Sequence, residues 1–180
     1  SPETIHADGP MKYFEGPVRA QILAKVNRGG GEIDGKIDYD VPGTLSGNWY
    51  AEDLSIPESG RGGDPFYGQR KLAFARDVFS PERPRISIGG LGLTGLWGVT
   101  SDAPAFTSVT PSSGLVVYRL THVGFPRSPE SNLQGGWLLV QMLDSERLRI
   151  EAVGLPNFVP PSAAGAPPSG FSSRAETYLR

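Results

Sequence analysis

The stretch Trp137-Leu138-Leu139-Val140-Gln141-Met142-Leu143-Asp144-Ser145-Glu146-Arg147-Leu148-Arg149-Ile150-Glu151-Ala152-Val153 decides the fold class. Its first seven residues form an apolar run of strand length. Asp144-Ser145-Glu146 is a short polar turn. After it, Leu148, Ile150 and Ala152 alternate with Arg147, Arg149 and Glu151, the period-2 pattern of a strand with one face buried. Two strands joined by so short a turn pair antiparallel.

The same grammar runs upstream. Leu115–Thr121 reads as a strand after the turn Thr110-Pro111-Ser112-Ser113-Gly114. Leu96–Thr100 and Arg85–Ile88 are strands separated by the glycine-rich bend 89–98. Leu72–Val78 precedes the turn Ser80-Pro81-Glu82-Arg83-Pro84. Leu45, Gly47, Trp49 and Ala51 share one parity and form an inward face. Ile33, Ile37, Tyr39 and Val41 share another, with Asp34, Lys36, Asp38 and Asp40 opposite them. The links are mostly turn-length, except the long polar loop 54–69 and the loop 124–136. Ahead of the strands, Gly16-Pro17 opens a helix over 16–28 with a stripe of Val18, Ile22, Leu23 and Val26, stopped by Gly29-Gly30-Gly31.

The expected fold is mainly β: an antiparallel up-and-down β-barrel of about seven to nine short strands with one short N-terminal helix, because closure removes exposed strand edges. A β-sandwich is the alternative. The expected organisation is an N-terminal extension over 1–31, a barrel core over 32–155, and a Pro/Ala/Gly-rich segment with a closing strand or edge over 156–180.

Composition agrees. The 180 residues include 24 glycines and 17 prolines, too many breakers for a bundle of long helices. With 38% hydrophobic residues and a net charge of −2, the chain is no disordered segment. The 17 basic and 19 acidic residues form no long run of one sign, which argues against a nucleic-acid groove. No stretch reaches the roughly 18 apolar residues of a membrane-spanning helix. The absence of cysteine excludes disulfides, thiolate metal sites and cysteine nucleophiles. The start at Ser1-Pro2-Glu3 is compatible with an exported protein.

Leu45-Ser46-Gly47-Asn48-Trp49-Tyr50 resembles the Gly-x-Trp-Tyr strand signature of the calycin group, the lipocalins and avidins. The resemblance implies a barrel in which Gly47 bends the first strand and Trp49 plugs the closed end. It further implies a late arginine stacked on that tryptophan, for which Arg147 and Arg149 are candidates. Thr100-Ser101-Asp102 is an echo of the group's second signature.

Motifs of catalysis are scarce. His6 and His122 are the two histidines, without metal-ligand spacing, and no Gly-x-Ser-x-Gly elbow surrounds a serine. Gly90-Leu91-Gly92-Leu93-Thr94-Gly95 satisfies the bare dinucleotide pattern, but the strand Leu96–Thr100 follows where a helix is required. No cofactor is expected. Glu32, Asp34, Asp38 and Asp40 share a strand face, and Asp34, Asp38 and Asp40 are the one conceivable cation site. A solvated acidic face is the preferred reading.

The leading expectation is a non-enzymatic, exported barrel that binds a small apolar or aromatic molecule inside. Trp49, Trp97 and Tyr118 would line the interior, with Arg76 or Arg119 as polar anchor, since an inward polar group must be paired or face a wet cavity. The alternative is a structural or accessory domain of a larger protein that mediates protein contacts. A barrel isomerase or cyclase is the third reading. Interior volume separates the first two. A cavity of about 300 Å³ or more favours ligand binding. An interior filled by Phe74, Leu139 and the tryptophans favours the accessory domain.

Overall fold

The computed structural model describes residues 9–26, 40–53, 70–77, 79–123 and 131–180. Eight antiparallel strands close into a barrel in chain order: β1 (Gly47–Ala51), β2 (Lys71–Arg76), β3 (Pro84–Ile88), β4 (Gly95–Val99), β5 (Val116–His122), β6 (Gln134–Met142), β7 (Arg147–Val159) and β8 (Glu176–Leu179). Each strand pairs with its sequence neighbour. β8 closes the ring by pairing with β7 on one side and β1 on the other, with Tyr50 opposite Leu179 and Ala51 opposite Tyr178. The barrel reading therefore holds and the sandwich does not.

Register carries the alternation around the ring. Gly47, Phe74, Ile86 and Trp97 form one inward row, which register continues to the half-buried His122 where β5 ends, and Met142, Leu148, Tyr178 and Ala51 form another. Trp49, Phe74, Ile86, Tyr118, Leu120, Leu138, Val140, Leu148 and Ile150 are wholly buried in one continuous cluster. Phe106 caps it from the β4–β5 connection, edge-on to Phe74 at 5.3 Å and to Tyr118 at 5.5 Å.

β6 is buried on both faces, which explains its unbroken apolar sequence. Its inner face joins the core. On its outer face Trp137 and Leu139, with Val117, Val153 and Val159, lie under a strap formed by residues 160–175, which contributes Ala164 and Phe171. Leu139 and Trp137, which an interior filled by Phe74, Leu139 and the tryptophans would place inside, are thus outer-wall residues, because Leu138 and Val140 take the inward parity.

Several expectations on element bounds need correction. The helix is α1 (Gly16–Leu23), eight residues with none buried: of its expected stripe Ile22 and Leu23 are half-buried, while Val18 and Val26 are exposed. β6 begins at Gln134 rather than 137, and β7 runs on to Val159. Gly135-Gly136 and Pro156 read as loop, yet both sit in a strand pair interrupted by a bulge: between the pairs Gln134–Val159 and Gly136–Gly154, one residue of β6 faces four of β7. Bulges are where a sheet tolerates proline. The acidic segment 32–39, His6 and the loop 54–69 lie outside the described residues.

Candidate functional site

One end of the barrel is plugged. The Trp49 indole N–H donates to the carbonyl of Leu45 at 3.0 Å, and the Leu45 N–H donates to the carbonyl of Val109 at 2.9 Å. The guanidinium of Arg180 lies 4.3 Å from the centre of the Trp49 ring and donates to the carbonyls of Val41 and Ser46. The arginine over Trp49 is therefore neither Arg147 nor Arg149. Arg147 pairs with Asp144 across the β6–β7 turn at 2.7 Å, and Arg149 lies over Phe171 of the strap at 4.7 Å.

Asp40 belongs to this plug. Its carboxylate accepts the backbone N–H of Asn48 at 2.6 Å, and a Cβ at Gly47, where φ is +124°, would overlap it. Asp34 and Asp38 fall outside the described residues. Among the described residues no group of three His, Asp or Glu side chains comes together to hold a metal ion. No helix among them is long and apolar enough to cross a membrane.

The five expected ligand-binding residues do not converge. Trp49 and Tyr118 are interior packing. The Tyr118 hydroxyl donates to the carbonyl of Pro104 at 3.2 Å, and burial holds its pKa well above the ordinary tyrosine value. Trp97 sits towards the other end, against Phe158 at 5.8 Å. Arg119 does not face the interior. By parity it lies on the outer wall, with its guanidinium 5.5 Å from the centre of the Trp137 ring. Arg76 is exposed at the rim where β2 ends.

Two features were not legible beforehand. The first is an aromatic cluster towards that same end. The β7 bulge swings Phe158, 46% exposed, over Trp97 and edge-on to His122 at 5.1 Å. Gly135 makes room, since a Cβ there would overlap Trp97 and stand 2.8 Å from Phe158.

The second is a groove of about 990 Å³ on the outside of the wall. Its floor is one register row across four strands: Ala75, Arg85, Gly98 and Thr121. The β4–β5 connection, residues 100–107, forms one wall, and the β2–β3 turn with Arg83 and Arg76 forms the other. His122, Asn132 and Pro161 lie at the end of the groove nearer Trp97. The Arg85 guanidinium is buried in the floor and pairs with Asp77 at 2.8 Å. Burial pushes the Asp77 carboxyl up, but the N–H groups of Ser80 and Phe79 and the charge of Arg85 outweigh it and hold the pKa below the usual value. Gly98 keeps the floor low: a Cβ would stand 2.7 Å from Thr121 Oγ1 and 3.3 Å from Arg85 Nη1.

Arg76 is the exception among the groove's cations. Arg83 pairs with Glu82 at 3.7 Å and Arg85 with Asp77, whereas Arg76 makes no hydrogen bond or ion pair with another described residue. No protein-family model, curated protein or solved structure matches this chain, so geometry alone carries the functional reading.

Proposed function

We propose that the protein is an accessory binding module that meets a partner protein through the groove on its outer wall. One observation carries this reading. The inward positions are filled by large, wholly buried side chains, while the roomy concavity lies outside the barrel. An eight-stranded barrel has an interior just wide enough to be filled by its own side chains or to hold one small ligand. Here the rings of Trp49, Phe74, Tyr118 and Phe106 take that space. The closed meander and the Arg180–Trp49 plug support the calycin resemblance, with the calyx turned into a core.

Photo-crosslinking residues placed at Ser101 and Thr107, on the groove rim, should couple to a discrete partner protein. One at Arg174, on the strapped wall, should not. Equal coupling at all three positions would overturn the proposal, as would a stoichiometric small molecule held inside the barrel in native mass spectrometry.

A second reading rests on Phe158. A half-exposed ring against Trp97 and His122 is a platform for a small planar molecule. Phe158→Ala abolishing retention of such a molecule would favour this reading.

A further inference from the structure

Resting on that proposal, we infer that the groove's occupant is an extended, acidic segment of the partner, with a carboxylate paired to Arg76. The shape argues for an extended chain. Neighbouring strands lie about 4.8 Å apart, so a floor row across four strands runs roughly 14 Å, the rise of about four extended residues. Ala75 and Gly98 put little bulk in that floor, and a volume of about 990 Å³ is at the upper end of small-molecule pockets, about 300–1,000 Å³.

Charge decides the chemistry of the segment. Arg85 and Arg83 already face carboxylates of this chain. Asp102, on the opposite wall, is stabilised as a carboxylate by the hydroxyl of Thr100, its pKa lowered from the ordinary value. That leaves Arg76 as the exposed cation without a counter-charge among the described residues. A partner carboxylate at the Arg76 rim completes a pair and stays clear of the Asp102 wall, whereas a basic residue there meets like charge. Rim charges of this kind set specificity more than affinity.

The test is selection from a phage-displayed library of random heptapeptides on the folded protein. Wild type should enrich Asp and Glu. Arg76→Ala should lose that enrichment and weaken an individual acidic clone about two- to fivefold, the worth of an exposed ion pair. Arg76→Glu should enrich Lys and Arg instead. Arg76 is exposed, so both variants should keep the wild-type melting temperature. Clones lost in Ser101→Trp and Thr107→Trp but indifferent to charge at position 76 would overturn this inference and leave the groove as a docking site. Clones that survive both tryptophan variants would overturn the groove proposal itself. A concentration-dependent dimer abolished by Ser101→Trp would make the occupant a second copy of the chain and would also overturn the acidic partner.

Discussion

The guanidinium carbon of Arg180 stands 4.3 Å from the centre of the Trp49 ring, so a residue just past the eighth strand covers the central residue of the first. The pair joins the two strands whose contact closes the barrel. Its hydrogen bonds to the Val41 and Ser46 carbonyls tie in the segment leading to β1 as well.

Trp49→Ala should cost about 3–5 kcal/mol, the usual loss for truncating a buried aromatic. Arg180→Ala should cost about 1–3 kcal/mol, through the lost charge-assisted hydrogen bonds and stacking, while the Ser46 carbonyl keeps the Val41 N–H and the Val41 carbonyl the Thr44 N–H. The double variant should lose less than the sum, because the residues are in contact. Urea unfolding of the four proteins measures each value. A strictly additive cycle would show that the stacking contributes nothing.

Glu151 predicts acid weakening of the strap. Its carboxylate accepts the backbone N–H and the hydroxyl of Ser172, both at 2.6 Å, and Arg174 lies at 3.5 Å. The Ser172 hydroxyl bond comes first among the causes that hold its pKa below 4.5, ahead of the opposing effect of burial. A depressed carboxyl pKa stabilises the fold above about pH 4.5 and loses that contribution as pH falls through the lower folded value. Protection factors of the backbone amides in residues 160–175, which remove the slower intrinsic exchange of acid, should therefore fall as pH drops. Glu151→Gln should bring the same change at neutral pH.

Two buried tyrosines predict the opposite limit. Burial, reinforced by Glu176, pushes Tyr178 up to about 12, and burial pushes Tyr118 further. The unfolded chain ionises these phenols near 10, so the stability they confer is complete below that pH and lost as pH rises through the folded values. The melting temperature should fall above pH 10. Tyr178→Phe should flatten that fall, because phenylalanine cannot ionise.

Gly135→Ala should disturb the Trp97–Phe158 cluster and leave the rest of the barrel in place. The new methyl displaces Trp97 or Phe158, and overpacking of this kind costs about 1–3 kcal/mol. Near-ultraviolet circular dichroism of the aromatic cluster should change while the far-ultraviolet strand signal stays. An unchanged aromatic signal would mean that Phe158 does not rest on Trp97.

The hairpin around Asp144-Ser145-Glu146 was legible because hydrophobic period and turn chemistry agree there. Gly47 to Ala51 was legible for the same reason, down to the inward parity of Trp49. Local pattern failed where a tertiary neighbour supplies the logic. Gly135 looks like a loop residue until Trp97 is placed against it, and Pro156 looks like a stop until the bulge is seen. The groove was invisible for a related reason. Ala75, Arg85, Gly98 and Thr121 come from four separate strands, and only pairing register sets them side by side. Arg119 was misplaced indoors because an arginine in an apolar strand looks buried by association, whereas its parity is that of Trp137.

β8 spans only four residues, and it alone bridges β7 to β1. This makes it the seam of the ring. Were it to peel away, the backbone of Gly47–Ala51 and one flank of the thirteen-residue β7 would become open edges, ready to recruit a foreign strand. The same four residues join the most distant parts of the barrel, so their pairing carries the largest loop-closure entropy and forms late. Resistance to aggregation in this protein is therefore set at its shortest strand, and it is governed by how seldom that strand lets go.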